Sequence, residues 1–322
     1  MKAIRVDGDR LVWTDAPVGD PGPGHVRIAI RASAVNRADL VQRAGHYPPP
    51  PGASDILGLE CAGVVDAVGD GVSRVCAGDA VCALLAGGGY AESVIVPAGQ
   101  VLKAPAGLSF AEAAALPEVF ATAYLNLYME GRLRFAETAL LHAGGSGVGT
   151  AAIQLCREFG NPCYVTAGSR QKVERCIELG AAGGCDRHVE SFAAHVREWT
   201  RGEGVDVILD PVGAAYLADN LASLKPEGRL IVIGLLGGSR AELAFSTVLM
   251  RRLSIVGSTL RSRSIAEKAA VMDRLRDRVW PRIAAGAIRP VIDTVMPMDR
   301  ADEAHMLIAG NQTFGKVVLE VP

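Results

Sequence analysis

Cysteine pairs, long apolar runs and an excess of either charge are all missing from this 322-residue sequence, and each absence removes a class of function. The seven cysteines (Cys61, Cys76, Cys82, Cys156, Cys163, Cys176 and Cys185) form no CxxC pair and are odd in number. That excludes a disulfide framework and reads as reduced thiols used as small hydrophobes. The formal net charge is only -2, without a basic stripe or an acidic tail, so nucleic acid is not an expected partner. No stretch reaches the ~18 apolar residues of a membrane span, and the opening MKAIRVDGDRLVW alternates like a strand instead of forming a signal-peptide core. No membrane partner and a cytoplasmic location are therefore expected. There is no repeat and no low-complexity tract beyond Pro48–Pro51, a stiff turn beside Tyr47.

What is present suits two domains. The first ~110 residues are rich in Gly and Pro and carry short alternating strands at His25–Ile30, Cys61–Val68 and Ala91–Pro97, the pattern of an antiparallel, barrel-like domain. A helical stretch follows, with Ser109 as N-cap, Glu112 at capping-box spacing and Pro117 forcing a break or kink. From Thr138 strands and helices alternate through Leu253–Ser258, giving six buried strands joined by helical crossovers. The fold class is thus α/β, with a doubly wound parallel sheet of six strands. A helix is expected around Ile265–Ala285. The closing strand KVVLEV exceeds the count of six and returns to the first domain. The expected division is residues 1–118 and 261–322 for the barrel domain, and 119–260 for the dinucleotide-binding domain.

The segment LLHAGGSGVGTAAIQL places Gly144, Gly145, Gly147 and Gly149 between an apolar strand and an apolar-faced helix. A pyrophosphate binds at such a junction because unpaired N–H groups and the helix dipole both favour an anion. Ser146 stands where the strict pattern has its middle glycine, and its hydroxyl can donate to phosphate. About 20 residues further on, a fold that prefers NAD carries Asp or Glu for the ribose 2′-hydroxyl. Here the strand ends VTAGSRQK, and Ser169, Arg170 and Lys172 suit a 2′-phosphate, so NADPH is the expected cofactor. The apolar last strand, Leu253–Ser258, would be an exposed template in a monomer, so a homodimer through edge pairing is expected.

Together, NRADLVQRAGHYPPPPGASDILGLECAG, HAGGSGVGTAAIQL, VTAGSRQK and FGKVVLE resemble the zinc-independent quinone oxidoreductase branch of the medium-chain dehydrogenase/reductase superfamily, nearest its p53-inducible quinone oxidoreductase-like members. The resemblance spans essentially the whole chain. It implies a GroES-like β-barrel catalytic domain, a Rossmann domain, NADPH, and direct hydride transfer to a small-molecule quinone or activated alkene. Zinc-dependent relatives carry Cys, His-Glu and Cys where this chain has Asn36, Leu59 before Glu60, and approximately Glu118, so no metal is expected. The resemblance further implies Asn36 and Thr122 at the nicotinamide, Gly147 and Val148 at the pyrophosphate, and Gly168, Ser169 and Lys172 at the adenosine phosphate. Arg187 stands where the family commonly has Tyr. Gly213, Leu235, Asn311 and Lys316 are further cofactor candidates.

Asn36 and Tyr47 are the polar groups expected nearest the acceptor. Asn36 alternatively caps a helix, and Tyr47 alternatively packs on the proline run. Two other functions fit the same residues. One is an enoyl-thioester or enone reductase, because Asn36, Asp39, Gly45 and Tyr47 match an N-x-x-D…G-x-Y pattern in which the tyrosine donates a proton. The other is a weakly catalytic NADPH-binding sensor.

Overall fold

The alternation after Thr138 folds into six parallel strands: Ala139–Leu141, Cys163–Ala167, Gly183–Asp186, Val205–Asp210, Leu224–Val232 and Ser254–Gly257. Numbered one to six along the chain, they lie in the order 3-2-1-4-5-6. In the computed structural model, which describes all residues from Met1 to Pro322, they belong to a unit spanning Thr122–Thr259. The other unit combines Met1–Ala121 with Leu260–Pro322. Leu140, Val205, Ile208, Leu224 and Leu230 form part of the core on the sheet, each side chain contributing about 1.5–3 kcal/mol on burial. The helix Gly147–Phe159 buries Ala151, Ala152, Ile153, Leu155 and Cys156, and stops at Gly160, whose φ of 74° is left-handed.

In the discontinuous unit, His25–Ala34 is the central strand. It pairs antiparallel with Glu60–Val68, with Ser93–Pro97 and with the closing strand Lys316–Glu320. Lys316–Glu320 also runs parallel to Ile292–Pro297, so the last strand does return to the N-terminal segment. The core here gathers Ile4, Leu57, Tyr90, Met298, Val317 and Leu319. No helix is long and apolar enough to cross a membrane.

Three local expectations change. The helical stretch after Ser109 breaks at Pro117 as expected, into Phe110–Ala114 and Pro117–Tyr124, but it continues into a wider π-turn, Leu125–Glu130, that no periodicity announced. The single helix expected over Ile265–Ala285 is two, Ile265–Arg278 and Trp280–Ala284. Pro281 has no N–H to continue the first helix but is well placed in the opening turn of a second. The fifth sheet strand begins at Leu224 instead of Arg229, because Leu224 pairs with Val205 before a register shift.

Candidate active site

In the Thr122–Thr259 unit, Ser146 caps the helix Gly147–Phe159, its Oγ accepting from Gly149 N at 3.0 Å. That leaves the hydroxyl proton free to donate at a helix N-terminus that favours anions. Gly149 allows the loop to close on the helix: a Cβ there would lie 2.4 Å from Ala143 O and 2.5 Å from Gly144 O. Gly144 has a different task, since a Cβ on it would meet Val165 Cβ at 2.8 Å and Cys176 Sγ at 3.1 Å. It seats the loop on the sheet.

Behind the loop lies a buried polar chain that sequence pattern did not reveal. His142 Nε2 meets Asn220 Oδ1 at 2.7 Å, and Asn220 Nδ2 donates to Asp210 Oδ2 at 3.0 Å. The carboxylate therefore fixes the amide, and the amide fixes His142 as the Nε2–H tautomer. Its Nδ1 then accepts from Thr166 Oγ1 at 3.0 Å. Phe192 and Tyr216 pack edge-on against the imidazole. Burial holds His142 down at about 4, so it is neutral at physiological pH. Asp210, pushed up by burial, also receives Val212 N and Gly213 N. This pins the turn at Gly213, whose φ of 81° and ψ of -127° suit glycine. Leu235 touches the same turn and is 58% exposed. His142 directly follows the first strand and Asp210 ends the fourth, where the strand order reverses and doubly wound sheets bind ligands.

At the end of the second strand, Ser169 caps the helix Arg170–Leu179 through Lys172 N. Arg170 pairs with Glu174 at 3.3 Å on the exposed face of that helix. Arg187 approaches Gly168: a Cβ on that glycine would stand 3.5 Å from Nη2 and 3.6 Å from Nε, with His188 Nε2 at 3.9 Å. Small size at Gly168 thus leaves room beside a guanidinium. Val148 follows Gly147 in the first helical turn, and Thr122 opens this unit, its carbonyl accepting from Asn126 Nδ2.

The other unit holds Asn36, Tyr47, Asn311 and Lys316. Asn36 caps the helix Arg37–Arg43 in a capping box with Asp39. Its side chain is also locked: Nδ2 donates to Glu60 Oε1 at 2.8 Å and Ala34 O at 3.2 Å, while Oδ1 accepts from Lys316 Nζ at 2.8 Å. Both expectations for Asn36, cap and site residue, refer to one constrained group. Lys316, expected as a cofactor candidate, lies buried at the start of the closing strand. Its ammonium is buried and pairs with Glu60 Oε1 at 2.7 Å and Val35 O at 2.8 Å, because a buried cation requires an anion and full hydrogen bonding. Glu60 Oε2 accepts from Glu118 N at 2.9 Å. Asn311 Oδ1 receives Arg37 Nη2 at 2.5 Å. Asp39, pushed up to about 6 by burial, accepts from Asn36 N and the Tyr90 hydroxyl, which also meets His305 Nε2 at 3.2 Å. Tyr47 is half-buried, its phenol shifted upward by burial and by Glu118 and pulled back by Arg261.

Residues 22–106 match the family model of the alcohol dehydrogenase GroES-like domain, and residues 147–277 match that of the zinc-binding dehydrogenases. The synaptic vesicle membrane protein VAT-1 homolog of Rattus norvegicus is 33% identical over 313 residues, covering 93% of this chain and 77% of that protein. The chain belongs to the medium-chain dehydrogenase/reductase superfamily. Solved members of this superfamily share its fold throughout. The crystal structure of an NAD-dependent alcohol dehydrogenase superposes with a TM-score of 0.86 at 33% identity, each chain covered completely. The JamJ enoyl reductase gives 0.88 at 26% identity, covering 100% of this chain and 99% of that one. The Escherichia coli quinone oxidoreductase complexed with NADPH gives 0.86 at 26% identity, covering 99% and 98%. The protein is accordingly an oxidoreductase with a GroES-like domain and a Rossmann domain. Zinc, which one family model carries in its description, has a poor donor set at the positions the resemblance implies, where Asn36 is an amide engaged by Glu60 and Lys316 and Leu59 is apolar.

Proposed function

We propose that this superfamily member is an NADPH-dependent reductase of quinones that works without a metal ion. The observation that carries this reading is the Asn36–Glu60–Lys316 cluster, in which a protein ammonium supplies the positive charge. NADPH, when bound, supplies a hydride from its nicotinamide ring. Ser146, Gly147, Val148 and Gly149 hold the pyrophosphate on a helix N-terminus. Gly168, Ser169, Lys172 and Arg187 receive the 2′-phosphate, and the turn at Gly213 and Leu235 borders the nicotinamide end. Asn36, with both amide protons engaged and Oδ1 receiving the Lys316 ammonium, is held rigid as an orienting group. A reduced quinone is a stable anion that takes its proton from water, so the chain needs to supply orientation more than acid catalysis.

A second reading, reduction of an activated alkene such as an enone or enoyl thioester, is favoured by the setting of Tyr47: a half-buried phenol beneath a guanidinium. The two share the cofactor and the hydride step and differ in whether carbon must be protonated. We further propose a homodimer formed by edge pairing of Ser254–Gly257, the last strand of its sheet, flanked by exposed Phe245, Leu249 and Met250.

The test is oxidation of NADPH, and separately of NADH, by the chelator-treated protein with an ortho-quinone and with an α,β-unsaturated ketone. Chelator-resistant turnover that favours NADPH is expected, with Arg187→Ala narrowing that preference. Turnover with NADH alone overturns the phosphate assignment. NADPH binding without turnover on either acceptor replaces both readings with a sensor.

A further inference from the structure

Arg261 is a buried charge that the hydride step leaves unused. It is 3% exposed and forms no ion pair. Nε donates to Ala86 O at 2.8 Å and Nη1 to Tyr47 O at 3.1 Å. The guanidinium carbon stands 5.1 Å from the centroid of the Tyr47 ring, and Nη2 is buried without an acceptor. Arginine stays protonated in such surroundings, so its charge is not removed by burial. A buried cation with no carboxylate against it is costly to maintain, and an electron-rich ring face offsets only part of that cost. Lys268, also buried, donates to Arg261 O at 3.2 Å and so adds a second cation instead of neutralising the first.

Tyr47 is therefore held at two points by one side chain. Its carbonyl fixes the loop, and its ring lies under a charge that no carboxylate pairs with directly. The groups acting on the phenol are Arg261, which favours loss of the proton, and Glu118, which opposes it. Asp39 and Glu118 act in turn on Arg261, and Glu118 also acts on Lys268. We propose that Arg261 is a positioning residue for proton delivery, clamping the Tyr47 loop and keeping a cation against the ring whose hydroxyl protonates the reduced acceptor.

This rests on the reading of Tyr47 as proton donor to an activated alkene. In that step the alkene accepts hydride at its β-carbon and its π electrons move to the carbonyl oxygen as an enolate. The Tyr47 O–H bond breaks, and its proton forms the new bond at the α-carbon as the enolate electrons return. The alkene gains the two electrons that NADPH gives up. Tyr47 is left as a phenolate under Arg261, and water restores its proton.

The experiment compares Arg261→Gln, Arg261→Lys and Tyr47→Phe, in parallel with an enone and a quinone, after thermal unfolding shows which variants fold. Arg261→Gln is expected to lower kcat for the enone about 10²-fold while leaving quinone reduction within about threefold, the scale of a lost general-acid contribution. The KM for NADPH should stay unchanged, and the solvent deuterium isotope effect on the enone kcat should grow as protonation becomes limiting. Arg261→Lys, which keeps the charge, should retain more of the enone rate, and it decides the matter by the same enone-to-quinone ratio if the glutamine variant does not fold. Equal loss on both acceptors, or an unchanged isotope effect, overturns the proposal and leaves Arg261 a structural clamp. Tyr47→Phe separates the two levels. Wild-type enone turnover in that variant overturns the tyrosine reading itself, whereas loss in Tyr47→Phe with retention in Arg261→Gln overturns only the role of Arg261.

Discussion

Replacing Lys316 by methionine tests the buried cluster most directly. The ammonium and the Glu60 carboxylate are 2.7 Å apart, with side chains 4% and 0% exposed. At an effective dielectric of about 20 their attraction is about 6 kcal/mol, and desolvation of the two ions offsets most of it. The net worth of the pair against apolar residues is thus small. Removing one partner is another matter, because the desolvation of the other remains: Lys316→Met leaves Glu60 buried against Asn36 Nδ2 and Glu118 N alone, and deprives Val35 O and Asn36 Oδ1 of their donor. The expected loss is about 3–5 kcal/mol. For a unit of this size that corresponds to a Tm lower by about 6–20 °C. Urea denaturation gives the free energy directly. The double variant Glu60→Gln/Lys316→Met, which removes both charges, should recover at least half of the loss, a coupling that a double-mutant cycle reads out. A cost for Lys316→Met under about 1 kcal/mol, or a double variant as unstable as the summed singles, would refute the account of this cluster as a mutually dependent ion pair.

His142 makes part of the stability acid-labile. Its folded value, about 4, lies below the ordinary 6.5, so the unfolded chain binds the proton first as pH falls and stability is lost between those two values, by up to about 3 kcal/mol. Urea midpoints measured down through that window should fall less in His142→Gln than in the wild type, and parallel curves would exclude the imidazole as a source. Gly149→Ala should weaken NADPH binding in a fluorescence titration, since relieving contacts of 2.4 and 2.5 Å with two carbonyl oxygens costs about 1–3 kcal/mol of distortion in the phosphate loop. Unchanged affinity would show that the loop tolerates a Cβ there. Ile255→Lys on the edge strand should convert a dimer to monomers in sedimentation, and a wild type already monomeric at micromolar concentration rules out the edge pairing.

The Rossmann unit was legible because each of its determinants is local. Buried parallel strands read as short apolar runs, and glycines mark the turns between them. The same locality placed Ser146 and Ser169 at helix starts, where each caps its helix. What stayed hidden depends on distant pairing. Nothing near Lys316 indicates that its partners are Asn36 and Glu60, and nothing in His142 or Asn220 announces a chain of hydrogen bonds ending at Asp210. Arg261 was invisible for the same reason, since its acceptors are the main-chain oxygens of Ala86 and Tyr47, and any residue offers one. The divided helix before the last strand was readable after all, because Pro281 stood in the sequence as the breaker.

The closing strand, Lys316–Glu320, is inserted between His25–Ala34 and Ile292–Pro297, and its first residue bonds to Asn36 across 280 positions of chain. During synthesis the Rossmann unit, one uninterrupted stretch, can complete its sheet as soon as it emerges from the ribosome, while the N-terminal strands wait with an open sheet edge and an unanswered Glu60 carboxylate. Maturation is therefore vectorial, and the second unit to begin is the first to finish. Loss of Lys316–Glu320 should be as damaging as lesions in the nucleotide loop, and an early N-terminal fragment is the species most exposed to chaperones.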